Sequence, residues 1–367
     1  MIYFLINNNY QCYDLKLHLL DIDKQDVSLI IVPHTLDESE LTGFVSIFRY
    51  PRALKPGLSA QLGNYIRQRR LVGTEIQPGR ADVLFFYTEL DLLNHHIVTY
   101  FKSNGARAYL IEDGGLATYL PFRMLDAEPL SVREKIKQWV YRTLPSLHTI
   151  RLHKLNGHIF TWMADRYIDG VCVYMPVSIR RDIPTILLRR SVQQERVSLS
   201  PGKVVFLNEM MYQIYQKADD YLAGLLKILE ALSVGFDMVY FKFHPREDAG
   251  WRTRITQDVL SKFPDLKVID GDSAIEDLVE SYRPSVAASY FSAGLLNLLD
   301  RGVEPLYLYH LIPDLASQPI SREATTVFLE LGYSFIPDFA GATSEYRSGL
   351  MGRQWKKAAI SLADLVK

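Results

Sequence analysis

Short, largely apolar runs recur along the first half of the chain, at residues 2–6, 27–32, 42–48, 83–87 and 108–111. Runs of that length, bounded by turn formers, predict strands buried on both faces. Between them, segments such as 60–69 and 91–102 carry apolar positions at helical spacing. Strands alternating with helices predict a parallel sheet covered on both sides. One more strand is predicted near 171–175. Residues 179–202 then break the pattern with a polar stretch that ends in the turn formers Ser200, Pro201 and Gly202, which predicts an interdomain connection. A second alternating series follows: strand 204–207, helix 221–232, strand 238–243, helix 251–262, strand 266–269, helix 274–282, strand 285–289, helix 293–299 and strand 305–309. Residues 351–366 have amphipathic helical spacing.

These elements predict an α/β chain with a first Rossmann-like domain over 1–178 and a connection over 179–202. A second Rossmann-like domain covers 203–350, and a C-terminal helix over 351–367 crosses back to the first. Two such domains facing a central cleft make a GT-B-like architecture. With 367 residues, the chain is long enough for both.

Composition narrows the function without choosing it. A 48% hydrophobic and 23% charged chain is globular rather than disordered, and its formal net charge of −1 offers nothing to attract nucleic acid. The two cysteines, Cys12 and Cys172, make no disulfide framework or zinc spacing and fit a reducing compartment. The N-terminal residues lack the basic flank of a signal peptide and read as the first buried strand. No apolar run reaches the roughly 18–20 residues of a membrane span. A cytoplasmic protein is the expectation.

Candidate chemistry sits at strand ends. Glu112-Asp113-Gly114-Gly115 follows the fifth run of the first half. Asp and Gly there serve a turn for backbone reasons alone, but a carboxylate at that position can also take a proton from a substrate hydroxyl. Asp113 is then the base and Glu112 orients it or points back into the sheet. Gly114 allows a substrate close to the backbone. In Lys242-Phe243-His244-Pro245, period-2 alternation puts Lys242 and His244 on one side, and Pro245 stops the strand. His244 is either satisfied by backbone or free to protonate or hydrogen-bond a phosphate. Ser289-Tyr-Phe-Ser292-Ala-Gly294 opens a predicted helix, where Ser292 caps it, contacts a phosphate, or both. Ser273 and Glu276 fit a capping box, although Glu276 also suits a ribose.

Two further features stay open. Ser131 opens a helix with Val132, Ile136, Trp139 and Val140 on one face, and Arg133, Lys135, Lys137, Arg142, Arg151 and Lys154 make segment 131–154 basic. That pattern serves an ordinary surface helix or peripheral contact with an anionic membrane. His95 and His96 are adjacent on a helix and so do not share a face for a metal.

Asp-Gly at one strand end, Lys-x-His-Pro at another and a serine-bearing strand-to-helix turn, in that order, resemble the bacterial sialyltransferases of lipooligosaccharide and capsule synthesis. The resemblance implies a GT-B fold and a CMP-activated sialic acid donor. Its acceptor is a glycan, lipid-linked in such pathways, as in lipopolysaccharide, O-antigen or capsule. It makes Asp113 the general base and His244 the group that stabilises or protonates the departing CMP phosphate. Lys242 and Pro245 fall beside the nucleotide, Glu276 at the ribose, and Ser289, Ser292 and Gly294 at the phosphate. Glu112 and Gly114 fall on the acceptor side. The family's serines are usually adjacent, whereas Tyr290 and Phe291 separate them here. No cofactor or metal is expected, because a monophosphate leaving group can be stabilised by hydrogen bonds alone. The expected place of action is the inner face of the bacterial inner membrane. Transfer of Kdo, pseudaminic or legionaminic acid from its CMP form, use of a nucleoside diphosphate sugar, and a non-catalytic binding role are the competing readings.

Overall fold

The computed structural model describes residues 1–36, 41–51, 58–89, 91–113, 129–144, 146–155, 158–177, 179, 182–189, 198–213, 217–269, 275–292, 294–351 and 359–366. The chain divides into two compact units. One is built from Met1–Asp113, Pro121–Val192 and Gln354–Lys367, the other mainly from Gln193–Arg353.

The first unit contains β1 (Ile2–Asn8), α1 (Asn9–His18), β2 (Val27–Thr35), β3 (Ser46–Arg49), α2 (Leu58–Glu75), β4 (Val83–Phe86), α3 (Leu92–Ser103) and β5 (Arg107–Ile111). After these come α4 (Val132–Thr143), β6 (Ile150–Leu155), β7 (His158–Met163), β8 (Gly170–Val173) and β9 (Thr185–Leu187). Seven strands form one parallel sheet in the order β3-β2-β1-β4-β5-β8-β9. Strand alternation explains how both faces fill. Ile2, Phe4 and Ile6 join Leu15, Leu29, Ile31 and Phe85 in one buried cluster. Tyr3, of opposite parity, packs edge-on against Phe101 of α3 with ring centroids 4.9 Å apart.

Three features of this unit differ from the sequence reading. Residues 150–155 and 158–163 pair antiparallel as β6 and β7, whose charged positions hid their alternation. The inward residues Ile150 and Leu152 complete a small core with Tyr65, Leu92, Tyr141 and Leu147. Within 179–202, Thr185–Leu187 is the seventh strand of the sheet and Ser200–Gly202 belong to the first strand of the second unit, so the connection is narrower than its polarity suggested. Where one helix over 351–366 was expected, Ile360 bridges Leu188 in parallel ahead of a short helix, α11 (Leu362–Val366), and residues 352–358 lie outside the described residues. Leu362, Leu365 and Val366 join the first unit's core.

The second unit runs β10 (Ser200–Leu207), α5 (Ala218–Gly235), β11 (Met238–Lys242), α6 (Ala249–Asp258), β12 (Lys267–Ile269), α7 (Ile275–Tyr282), β13 (Pro284–Ser289), α8 (Gly294–Asn297), β14 (Glu304–Tyr307), α9 (Pro313–Ala316) and α10 (Pro319–Leu331). Its five strands are parallel in the order β12-β11-β10-β13-β14. In both sheets the order reverses beside the first strand, at β1/β4 and at β10/β13. Such switch points open a crevice at the carboxyl ends of the strands. Among the described residues of the predicted helix 293–299, α-helix covers α8, after which a 3-10 turn, Leu298–Arg301, ends at Gly302 with φ +84°. A left-handed residue at that position favours glycine.

Candidate functional site

In the first unit, polar side chains gather beyond the carboxyl ends of β1, β4, β5 and β8. Asn8 caps α1 by accepting from the Gln11 N–H at 2.9 Å, which turns the Gln11 side chain back over the strand ends. Gln11 is fully buried. Its Oε1 accepts from the Asn7 N–H at 2.6 Å, and its Nε2 donates to Asp113 Oδ2 at 2.9 Å. The first bond fixes which end of the amide faces Asp113. The Asn7 side chain is itself held by Val32 O at 2.8 Å and by Asn94 Nδ2 at 3.0 Å.

Asp113 is part-buried, and burial pushes its carboxyl up to about 7, against the partial relief of the Gln11 bond; the charges of Asp14 and Glu112 push the same way. A carboxylate with that affinity for protons suits a base working near neutrality. Glu112 is turned the other way. It is buried, and its Oε2 accepts from the Tyr174 N–H at 2.8 Å, clamping β5 to the end of β8. Asp14 lies beneath, on the α1 face that also carries Gln11. Its Oδ2 accepts from Tyr174 OH at 2.5 Å and Tyr87 OH at 3.1 Å, and His18 Nε2 lies 2.7 Å from Tyr174 OH. Gly114, expected beside the base, lies outside the described residues.

Gln11 was missed by sequence reasoning; the signal available was the polar run Asn7-Asn8-Asn9 directly after an apolar strand. Because it donates to the ionised form of Asp113, Gln11→Met is expected to raise the Asp113 pKa further. The acid limb of the pH–activity profile then moves to higher pH while the alkaline limb stays in place. A downward or absent shift would remove Gln11 from this role.

In the second unit, β11 ends at Lys242, so Phe243 and His244 lie past the strand and the period-2 argument reaches only Lys242. Lys242 is buried. His244 O accepts from the Glu247 N–H at 2.9 Å, closing a four-residue turn with Pro245 at its second position, where a fixed φ suits it. Within that turn the Arg246 N–H donates to His244 Nδ1 at 3.1 Å. The acceptor role leaves the ring proton on Nε2, in a neutral imidazole. Burial, then the charges of Arg246 and Lys242, pull the His244 pKa below the usual histidine value, which favours the same neutral form. Glu247 is buried beside the turn, bonded to Tyr212 OH and, at 3.1 Å, to Asn208 Nδ2.

The serine turn carries its own carboxyl group. Glu209 follows β10, and its Oε2 accepts from Ser289 Oγ at 2.5 Å and from the Phe291 N–H at 2.7 Å. Burial pushes the Glu209 carboxyl up, and bonds from Ser289 and the backbone of residues 290–292 oppose it. Ser289 is fully buried, so its hydroxyl serves the turn. Ser292 is part-exposed at the mouth of the same turn. A Cβ on Gly294 would meet only ordinary contacts, at 3.5 Å from Ile275 and Ser292, so the protein's own packing does not demand glycine there. With four residues, α8 supplies little of the dipole that a longer helix would. Glu276 lies on α7, and its side chain is outside the described set, as are Asp272 and Ser273. His95 Nε2 pairs with Glu89 O at 2.7 Å, and burial holds His96 down at about 4; both serve the core. Among the described residues no cluster of three or more His, Cys, Asp or Glu is placed to hold a metal ion.

No protein-family model and no curated protein matches the chain. Solved structures do match it. The Staphylococcus aureus MnaA–UDP co-structure aligns with a TM-score of 0.55 and 8% identity over 97% of this chain and 93% of that one. The fold is GT-B-like. The Arabidopsis thaliana UGT89C1 complex with UDP-L-rhamnose aligns at a TM-score of 0.52 and 12% identity, covering 99% and 92% of the two chains. For the Methanocaldococcus jannaschii UDP-GlcNAc 2-epimerase in complex with UDP-GlcNAc and UDP, the values are 0.51, 12%, 89% and 87%. At such identities the likeness is one of fold. In this GT-B-like chain, parallel strands bring Asp113 to the carboxyl edge of one sheet and His244 and Ser292 to that of the other.

Proposed function

We propose that the chain is an inverting glycosyltransferase that moves sialic acid from CMP-sialic acid to a hydroxyl, that of galactose in the simplest case, on a bacterial surface glycan. The observation that carries the reading is Asp113: a carboxyl at a strand end, raised toward neutrality by burial and aimed by Gln11. In the reaction, the acceptor hydroxyl gives its proton to Asp113 as its oxygen attacks the anomeric carbon. The bond from that carbon to the phosphate oxygen breaks, and its electron pair leaves with CMP. The neutral His244 hydrogen-bonds the phosphate from Nε2 and holds the developing charge, so it acts as a fixed donor rather than as an acid. Ser292 contributes a second donor, and Glu276 meets the ribose. Lys242 and Pro245 shape the nucleotide side through the loop that carries His244, and Gly294 leaves room beside Ser292. Ser289 acts indirectly, by holding Glu209 under the turn. Gly114 falls on the acceptor side of Asp113 in this reading, whereas Glu112, expected there from the sequence, is turned into the sheet and holds β5 to β8. No metal is required, because the leaving group is a monophosphate. The place of action in this reading is the cytoplasmic face of the inner membrane.

A second reading keeps the mechanism and changes the donor. The similar structures are complexes with UDP, with UDP-GlcNAc and UDP, and with UDP-L-rhamnose, which favours a UDP-sugar over the other CMP-linked ulosonic acids. The deciding experiment measures nucleotide release in EDTA from CMP-sialic acid, CMP-Kdo and UDP-GlcNAc, with and without a galactose-terminated acceptor. Acceptor-stimulated CMP release supports the proposal. Release of UDP alone transfers the site to UDP-sugars, and no release with no nucleotide binding removes the enzyme reading.

A further inference from the structure

Helix α4 turns its apolar side outward. Val132, Ile136 and Trp139 are 75%, 58% and 65% exposed, and their i, i+4, i+7 spacing sets them in one line along the helix. The side packed on the first unit is formed by Gln138 and Tyr141, both buried. Gln138 Nε2 donates to Ile150 O at 2.8 Å, and its Oε1 accepts from the Leu152 N–H at 2.7 Å. That amide clamps the helix to the edge of β6, and rolling Trp139 inward would break both bonds. Helical spacing places Lys135 and Arg142 along one flank of the stripe and Arg133 along the other, while Lys137 Nζ turns toward the packed side and lies 5.6 Å over the Tyr141 ring. The helix has one acidic residue, Glu134, and its carboxylate accepts from the Ser131 N–H at 2.6 Å in a capping box.

We propose that α4 docks on the surface of a bilayer containing anionic phospholipid. An apolar line rimmed by cations fits the boundary between acyl chains and head groups, with Trp139 in the boundary and the arginine and lysine ends reaching the phosphates. Charge chooses this occupant. A second copy of the chain, meeting the stripe across a two-fold axis, would set the same cations against one another. The inference goes beyond the transferase reading and stands apart from it, because it needs neither donor nor acceptor.

Co-sedimentation of the full chain with vesicles tests it, using phosphatidylcholine alone and phosphatidylcholine mixed with phosphatidylglycerol, at low and high salt. Binding to the mixed vesicles that weakens with salt is expected. The triple variant Arg133→Ala, Lys135→Ala, Arg142→Ala should bind about a hundredfold more weakly, at about fivefold per cation. Ile136→Asp with Trp139→Asp should abolish binding, and all these exposed positions should leave the circular dichroism spectrum unchanged. Failure of the native chain to sediment with mixed vesicles at low salt overturns the proposal, as does native-like sedimentation of both variants. A dimer in sedimentation velocity that Ile136→Asp dissolves gives the stripe to a second copy instead. None of these outcomes touches nucleotide release, so the two readings fail separately.

Discussion

Asp113→Asn is expected to lower acceptor-dependent transfer by about a thousandfold, within the range that a positioned general base contributes. The amide keeps the shape of the carboxyl and its contact with Gln11 but cannot take a proton. The native chain should show an acid limb near pH 7 in transfer, because the carboxyl must be ionised to act and burial holds it at about 7. Stability should move in the opposite sense. A carboxyl raised from its ordinary 3.8 to about 7 contributes stability that is full below 3.8 and lost as pH rises through the folded value. The asparagine variant therefore melts higher than the native chain at pH 8, and the gap closes toward pH 4. Kinetics and thermal melts on one pair of proteins check both. An inactive variant that also melts lower at pH 8 would mean that the carboxylate is a structural group, and its role as base would fall.

His244→Ala should cost about a hundredfold or more in turnover, as the loss of one preorganised donor does. The bond from Arg246 N–H to Nδ1 makes the role specific. If His244 acts as a neutral donor from Nε2, His244→Gln, which can place an amide N–H near the same point, should recover at least about tenfold over the alanine variant. Proton donation to CMP would leave glutamine as poor as alanine. The ratio of the two variants therefore separates hydrogen bonding from acid catalysis.

The parallel strands were legible because burial on both faces leaves continuous apolar runs; β1, β4, β5, β10, β11 and β13 all lie where those runs predict. The edges were not. Thr185–Leu187 sits among arginines and prolines in a stretch that reads as a linker, and only pairing with β8 makes it a strand. The antiparallel pair β6 and β7 hid behind charged outward positions. Asp113 and His244 could be nominated because carboxylates and histidines at strand ends are few. Gln11 was not, because the polar run Asn7-Asn8-Asn9 before it marks a strand end but does not single out a glutamine on the first turn of the helix that follows. Its role comes from a cap at Asn8 and from two bonds to residues near in space, one of them far along the chain.

By itself the sequence determined the class: two α/β units, their parallel strands, and the strand ends where polar chemistry collects, since periodicity and turn residues act over a few positions. The tertiary structure alone decided how each polar group is used. It set Glu112 into the sheet and Asp113 against Gln11, and it gave the serine turn a carboxylate of its own from Glu209. It also put the apolar line of α4 outside, because the bonds of one buried amide, Gln138, to the neighbouring strand outweigh the pattern of the helix's own side chains.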